Sequence, residues 1–199
     1  MRLRVSAEWH ARGVWQTAPC RKRRCPPHKP PLTMPQLLID FEHPTALTEW
    51  MTVDDVVMGG VSSSRVRHDP EGFAVFEGTL SLENNGGFCA LRSGVLAEKP
   101  LAADSFLLDV CGDGKRYKFN VRTEGGVEGL TYQASFDAPA GAWTQVRLRV
   151  SDLMPTFRGR EVRGMDPLDA FRISHVSVII SDRQEGAFSL ALRSLHCET

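Results

Sequence analysis

The chain has 199 residues, 42% of them hydrophobic and 24% charged, with no formal net charge. That length supports one sizeable domain with a real core, and no apolar run approaches the ~18–20 residues of a membrane-spanning helix. The neutral total hides an asymmetry: residues 1–33 carry six Arg and two Lys against Glu8, while the remainder carries 16 basic and 23 acidic side chains.

Segment 1–33 lacks the sustained apolar stretch of a secretory signal. Its Arg-rich, acid-poor composition and the RKRR run at 21–24 mimic a transit peptide or an import patch. Cys20, Cys25 and His28 supply only three candidate ligands among prolines, so zinc is not expected. Pro26, Pro27, Pro30 and Pro31 disfavour regular structure. The segment therefore reads as a disordered N-terminal extension, either a targeting segment or sequence translated upstream of a start at Met34. Residues 34–199 read as a single domain. Cys20, Cys25, Cys89, Cys111 and Cys197 are odd in number and irregularly spaced, which points to a reducing compartment without a disulfide framework.

From residue 37 the chain reads as β structure. Segment 37–41 (LLIDF) is a short apolar strand. Segment 50–64 (WMTVDDVVMGGVSSS) follows as an irregular loop, apolar and acidic, broken by Gly59 and Gly60. Strands are predicted at 61–67, 73–76, 79–82 and 88–92, with Gly78 as a break and Asn84, Asn85, Gly86 and Gly87 as a turn that tolerates positive φ. Segments 105–111 (SFLLDVC) and 116–122 (RYKFNVR) flank GDGK and predict a hairpin. Within 116–122, Tyr117, Phe119 and Val121 alternate with Arg116, Lys118, Asn120 and Arg122, the period of a half-buried strand. Segments 130–136 and 143–150 repeat that alternation. Segment 173–180 is almost continuously apolar and should be central, and 187–195 closes the domain. Helix is scarce; one turn is predicted at 167–171, with Asp166 as its cap and Pro167 at its first position. About ten short antiparallel strands, spaced by Gly, Pro and Asn turns, predict an all-β jelly-roll sandwich.

No nucleophile elbow, zinc-protease helix or phosphate loop occurs, and no cofactor or metal is expected. Asp54 and Asp55 could form an acid/base pair or a cation site. Neighbours on an extended chain point in opposite directions, however, which favours carboxylates capping backbone N–H groups. Segment 83–92 (ENNGGFCALR) is either a hairpin turn or a backbone rim open to close approach. In PTFRGR, Arg158 and Arg160 either pair with the domain's own acids or clamp an outside carboxylate or phosphate. Arg122, like Arg116 and Lys118, sits on what is normally a solvated strand face. Nucleic acid is disfavoured as a partner because the folded part is net acidic.

WMTVDDVVMGGVSSS, FEGTLSLENNGGFCALR, RYKFNVR, TYQASF, PTFRGR and SDRQEGAFSLAL resemble, in order, the successive motifs of the complex I intermediate-associated protein 30 family. The resemblance spans about 37–195. It implies a galactose-binding-like jelly roll without catalytic residues, acting as an assembly factor or chaperone for respiratory complex I (NADH:ubiquinone oxidoreductase) or a related membrane complex. The expected partner is a protein, such as a complex subunit or assembly intermediate. The candidate binding surface is Asp54, Asp55, Met58, Gly59, Gly60, Asn85, Gly86, Gly87, Arg92, Arg122, Arg158 and Arg160, with its three motifs gathered on one face or end of the sandwich. A short single-domain member of this kind is expected in the cytoplasm, or in an organelle where 1–33 serves as a transit segment. The alternative is a carbohydrate- or small-ligand-binding jelly roll, for which Trp50, Trp143, Tyr117 and Tyr132 are the aromatic candidates unless they pack in the core.

Overall fold

The computed structural model describes residues 34–100 and 102–199. The basic segment 1–33, with its RKRR run and the Cys20, Cys25 and His28 set, lies outside the described residues. Among the described residues, thirteen strands build two antiparallel sheets. They are β1 (Gln36–Asp40), β2 (Met51–Asp54), β3 (Ser63–Asp69), β4 (Phe73–Leu80), β5 (Cys89–Arg92), β6 (Ser105–Cys111) and β7 (Arg116–Thr123). They continue with β8 (Leu130–Asp137), β9 (Trp143–Arg149), β10 (Met154–Phe157), β11 (Arg160–Glu161), β12 (Ile173–Ile180) and β13 (Gly186–Glu198). Short 3₁₀ turns are the helical elements among the described residues, so no described helix is long and apolar enough to cross a membrane.

The six-stranded sheet runs β3-β4-β13-β6-β9, with β1 also on β13, and the seven-stranded sheet runs β11-β10-β8-β7-β12-β5-β2. Strand β13 is long enough to take two partners along one edge: residues from Gly186 to Leu192 pair with β4, and those from Ser194 to Cys197 pair with β1. The apolar side chains of each alternating strand meet between the sheets. Phe106 of β6 lies 5.2 Å from Phe119 of β7, Phe76 lies 5.0 Å from Phe188, and Tyr117 stacks on Phe136. The nearly continuous apolar run 173–180 forms β12, an interior strand with β7 on one side and β5 on the other.

Local readings are corrected in four places. Segments 105–111 and 116–122 are not a hairpin, because β6 pairs with β9 and β13 while β7 pairs with β8 and β12. The GDGK stretch is an arch between the sheets: Gly114 N–H donates to Ala138 O (2.8 Å), and the Asp113 carboxylate accepts from Lys115 N and Ser189 N. The Asn84–Gly87 stretch likewise crosses from β4 in one sheet to β5 in the other. Gly78 does not break a strand; β4 is continuous, and a Cβ at Gly78 would lie 2.1 Å from Ser63 O, so glycine serves close strand packing. The predicted turn at 167–171 moves to Ala170–Arg172, where Asp169 rather than Asp166 accepts from Phe171 N (3.1 Å), and the Asp166 carbonyl instead accepts from the Tyr132 hydroxyl. The additional strands beyond the expected ten or so come from segments 51–54, 154–157 and 160–161, which pair at the sheet edges.

Candidate binding surface

Strand β2 ends at Asp54 and passes into a 3₁₀ turn, Asp55–Met58, that Gly59 closes at φ +90. A left-handed cap of this kind is cheapest for glycine. Asp55 is fully buried. Its carboxylate accepts from Ser62 N–H (3.0 Å), Ser62 Oγ–H (2.6 Å), Gly87 N–H (2.6 Å) and Phe88 N–H (3.4 Å), and its own N–H donates to Phe88 O. Burial alone would push this carboxyl's pKa up. The Ser62 hydroxyl and the amides of Gly87, Ser62 and Phe88 outweigh it, so the pKa falls below the usual aspartate value. A Cβ on Gly60 would lie 2.3 Å from Asp55 Cγ, and one on Gly86 2.5 Å from Asp55 Oδ2. Both glycines are therefore present for space, because any side chain would occupy the carboxylate's position.

Asp54 points the other way and accepts from Ser64 N–H (2.9 Å) and the Ser64 hydroxyl. Each aspartate thus ties β2 to the start of β3 at a different serine. Neither is arranged as an acid/base pair, and among the described residues no three His, Cys, Asp or Glu groups converge as metal ligands. Beside Asp54, the buried Cys89 thiol is pushed up to about 12, first by burial and then by the Asp54 charge.

This clamp holds an apolar turn in water. Val56, Val57 and Met58 are 60%, 75% and 67% exposed, and Met51 and Val61 on either side are also exposed. Exposed Asn85, at φ 61, stands on the neighbouring arch with Gly86 and Gly87.

The remaining candidates lie elsewhere. Arg158 and Arg160 flank the β10–β11 turn at the opposite edge of the seven-stranded sheet from β2 and β5, and the Arg158 guanidinium lies over its neighbour Phe157 (5.4 Å). The 50–64 and 83–92 motifs therefore share one end, and the PTFRGR motif stands apart from them. Arg92 and Arg122 sit on the outer face of the seven-stranded sheet. Strand β12 separates their strands, so their proximity depends on a partner that joins from more than fifty residues away. The contributions of Ser62 and Ser64 could have been read from the serine run only as generic turn formers. Nothing local marks Gly87 and Phe88 as partners of Asp55.

The aromatic candidates are mostly enclosed. Tyr117 and Tyr132 are buried, Trp50 packs on Phe41 (5.2 Å), and Trp143 carries the Arg193 guanidinium 3.8 Å from its ring centre with Phe73 at its edge.

Comparison with known proteins adds three findings. The family model described as complex I intermediate-associated protein 30 matches residues 39–192. An uncharacterized protein of Schizosaccharomyces pombe is 29% identical over 168 residues, covering 74% of this chain and 76% of its own. Among solved structures, the family 11 carbohydrate-binding module of the cellulosomal cellulase Lic26A-Cel5E of Clostridium thermocellum superposes with a TM-score of 0.61 at 15% identity, covering 83% of this chain and 95% of the module. The family 11 module from the same organism in complex with a β-1,3-1,4-mixed-linked tetrasaccharide gives 0.59 at 16% identity, over 81% and 94%. At such identities the likeness establishes the jelly-roll, galactose-binding-like architecture.

Proposed function

The chain belongs to the complex I intermediate-associated protein 30 family, and from that premise we propose that it is a non-catalytic protein-binding module that holds a subunit or intermediate during assembly of respiratory complex I or a related membrane complex. The observation that carries this reading is the apolar turn Val56-Val57-Met58, held out in water by the buried Asp55 clamp. Large apolar side chains gathered in one exposed patch mark interaction surfaces more often than isolated ones do. A turn already held rigid loses little conformational freedom on docking, so more of the buried area appears as affinity. Asn85, Gly86 and Gly87 on the adjoining arch would form the polar rim of the same contact. The partner is a protein, met in the cytoplasm or, where 1–33 directs import, in an organelle.

The test is complementation. Cells of the source organism lacking this gene receive the wild type or the triple variant V56S/V57S/M58S, and complex I is followed on native gels. Failure of the triple variant to restore the complex is expected, with the purified variant melting near the wild-type temperature because all three side chains are solvent-facing. Normal complex I in the null strain, or full rescue by the triple variant, would sink the reading. A photo-crosslinker at position 57 should also capture a subunit of the complex directly.

A further inference from the structure

We propose that the outer face of the seven-stranded sheet is a second binding site, in which Arg92 and Arg122, beside His175 and Asn120, take a phosphate monoester of a hydroxyl-bearing compound. Strand register builds the site. One cross-strand row runs Met51, Arg92, Ser177, Asn120, Gln133, Met154 across six strands, and the next row sets His175 opposite Arg122. Three nitrogen bases therefore share one side of a sheet whose other side is the core.

The charge pattern on this face is uneven. At one end Arg116 pairs with Asp137 (2.8 Å) and Lys118 with Asp182 (2.5 Å). Among the described residues, neither Arg92 nor Arg122 has an ion-pair partner. Arg92 reaches solvent, yet neighbouring atoms remove enough water from its guanidinium to lower its pKa, and the Arg122 charge lowers it further. His175 is likewise held down, first by desolvation, then by Arg122 and by Arg92, with Glu124 opposing. Two guanidiniums that disfavour one another, with no acid paired to either among the described residues and nearby Glu124 engaged by Lys99, are a standing attraction for an external anion. Two guanidiniums match a dianion better than a single carboxylate, and each can donate in parallel to two oxygens.

Asn120 supplies the second observation. It is 5% exposed, and its Oδ1 is buried without a hydrogen-bond partner among the described residues. Buried side-chain acceptors are normally satisfied. An unsatisfied acceptor in this row gains a partner when a ligand hydroxyl displaces the side chains that cover it while the phosphate engages the arginines. This site shares only the Met51 border with the apolar turn and stands or falls independently of the assembly role.

The test is amide chemical-shift mapping of the full chain titrated with glucose 6-phosphate, inorganic phosphate, glucose, and vesicles containing phosphatidic acid, the last to separate a lipid headgroup from a soluble ester. Saturable shifts at 90–92, 120–122 and 175–177 with glucose 6-phosphate at about 1 mM or below, weaker ones with phosphate and none with glucose, are expected. The double variant R92Q/R122Q, with amide shifts away from the site checking that the fold is kept, should weaken binding at least about tenfold. Binding confined to the vesicles and lost in R92Q/R122Q supports the same phosphate chemistry from a membrane source. Absence of saturable binding by any phosphate probe, equal binding by R92Q/R122Q, or shifts centred on 56–58 would overturn the proposal.

Discussion

Replacing Asp55 by Asn keeps the shape of the side chain and removes its charge, which makes D55N the sharpest probe of the clamp. The carboxylate accepts through both oxygens, Oδ1 from Ser62 N–H and Oδ2 from Ser62 Oγ–H, Gly87 N–H and Phe88 N–H. An amide has one acceptor. Its best orientation leaves the oxygen at the Oδ2 position and turns NH₂ toward Ser62 N–H, donor against donor. Hydrogen bonds to a charged group contribute about 1.5–3 kcal/mol each, and a buried donor left open costs about 1–3 kcal/mol. Since the Oδ2 contacts survive in weakened form, the net loss should be about 3–5 kcal/mol, a large part of a typical domain's total stability of about 5–15 kcal/mol. Urea denaturation should register a fall in midpoint of about 2 M. D54N, which loosens only the contacts to Ser64, should lose about 1–2 kcal/mol. The acid limb provides an independent readout. The folded pKa of Asp55 is depressed, so the folded protein binds its proton less readily than the unfolded chain does. The stability it adds is complete above the ordinary value of 3.8 and is lost as pH falls through the lower folded value. D55N should abolish that component of acid sensitivity. A loss below about 1 kcal/mol, or an unchanged acid limb, would refute the clamp as the device that holds the turn.

The adjacent glycines should respond for different reasons. G60A drives a methyl into the Asp55 carboxylate and should cost about 3 kcal/mol or more, whereas G59A meets nothing within 4 Å and bears only the strain of φ +90, about 1–2 kcal/mol; equal losses in chemical denaturation would contradict the packing argument. Tyr117 is fully buried and its hydroxyl has no hydrogen bond of normal geometry among the described residues, so Y117F should leave stability unchanged or raise it by up to about 1–2 kcal/mol, and a clear loss in the same assay would mean that the hydroxyl has a partner, with the Asp113 carboxylate the first candidate. The Cys89 thiol, pushed up to about 12, should resist a thiol-specific reagent in the native protein at about pH 8 and react only on unfolding; peptide mapping that finds it modified in native protein would contradict its burial.

Much of the architecture is legible in short stretches because a strand's two faces are set by its own alternation. Tyr117, Phe119 and Val121 had to share one side, and Asn120 and Arg122 the other, whatever sheet received them. The opposite directions of Asp54 and Asp55 follow from the same geometry, and the succession of motifs from 50–64 to PTFRGR identifies the family. Pairing is a different kind of information. The GDGK turn chemistry is compatible with a hairpin, and only the arrival of β12 and β13 from the end of the chain, offering each of β6 and β7 a partner in a different sheet, makes it an arch.

The site divides along the same line. Local composition marks Asp55, Gly60 and Gly86 as unusual, but that both glycines make room for one carboxylate depends on a contact between residues more than thirty positions apart. The meeting of Arg92 and Arg122 across β12 is likewise set by strand order, and so is the separation of Arg158 from the other two motifs. By itself the sequence determined which side chains face in and which face out, because that is a property of one strand's backbone. The tertiary structure alone decided which outward side chains are neighbours, because strand order is chosen by the whole core at once.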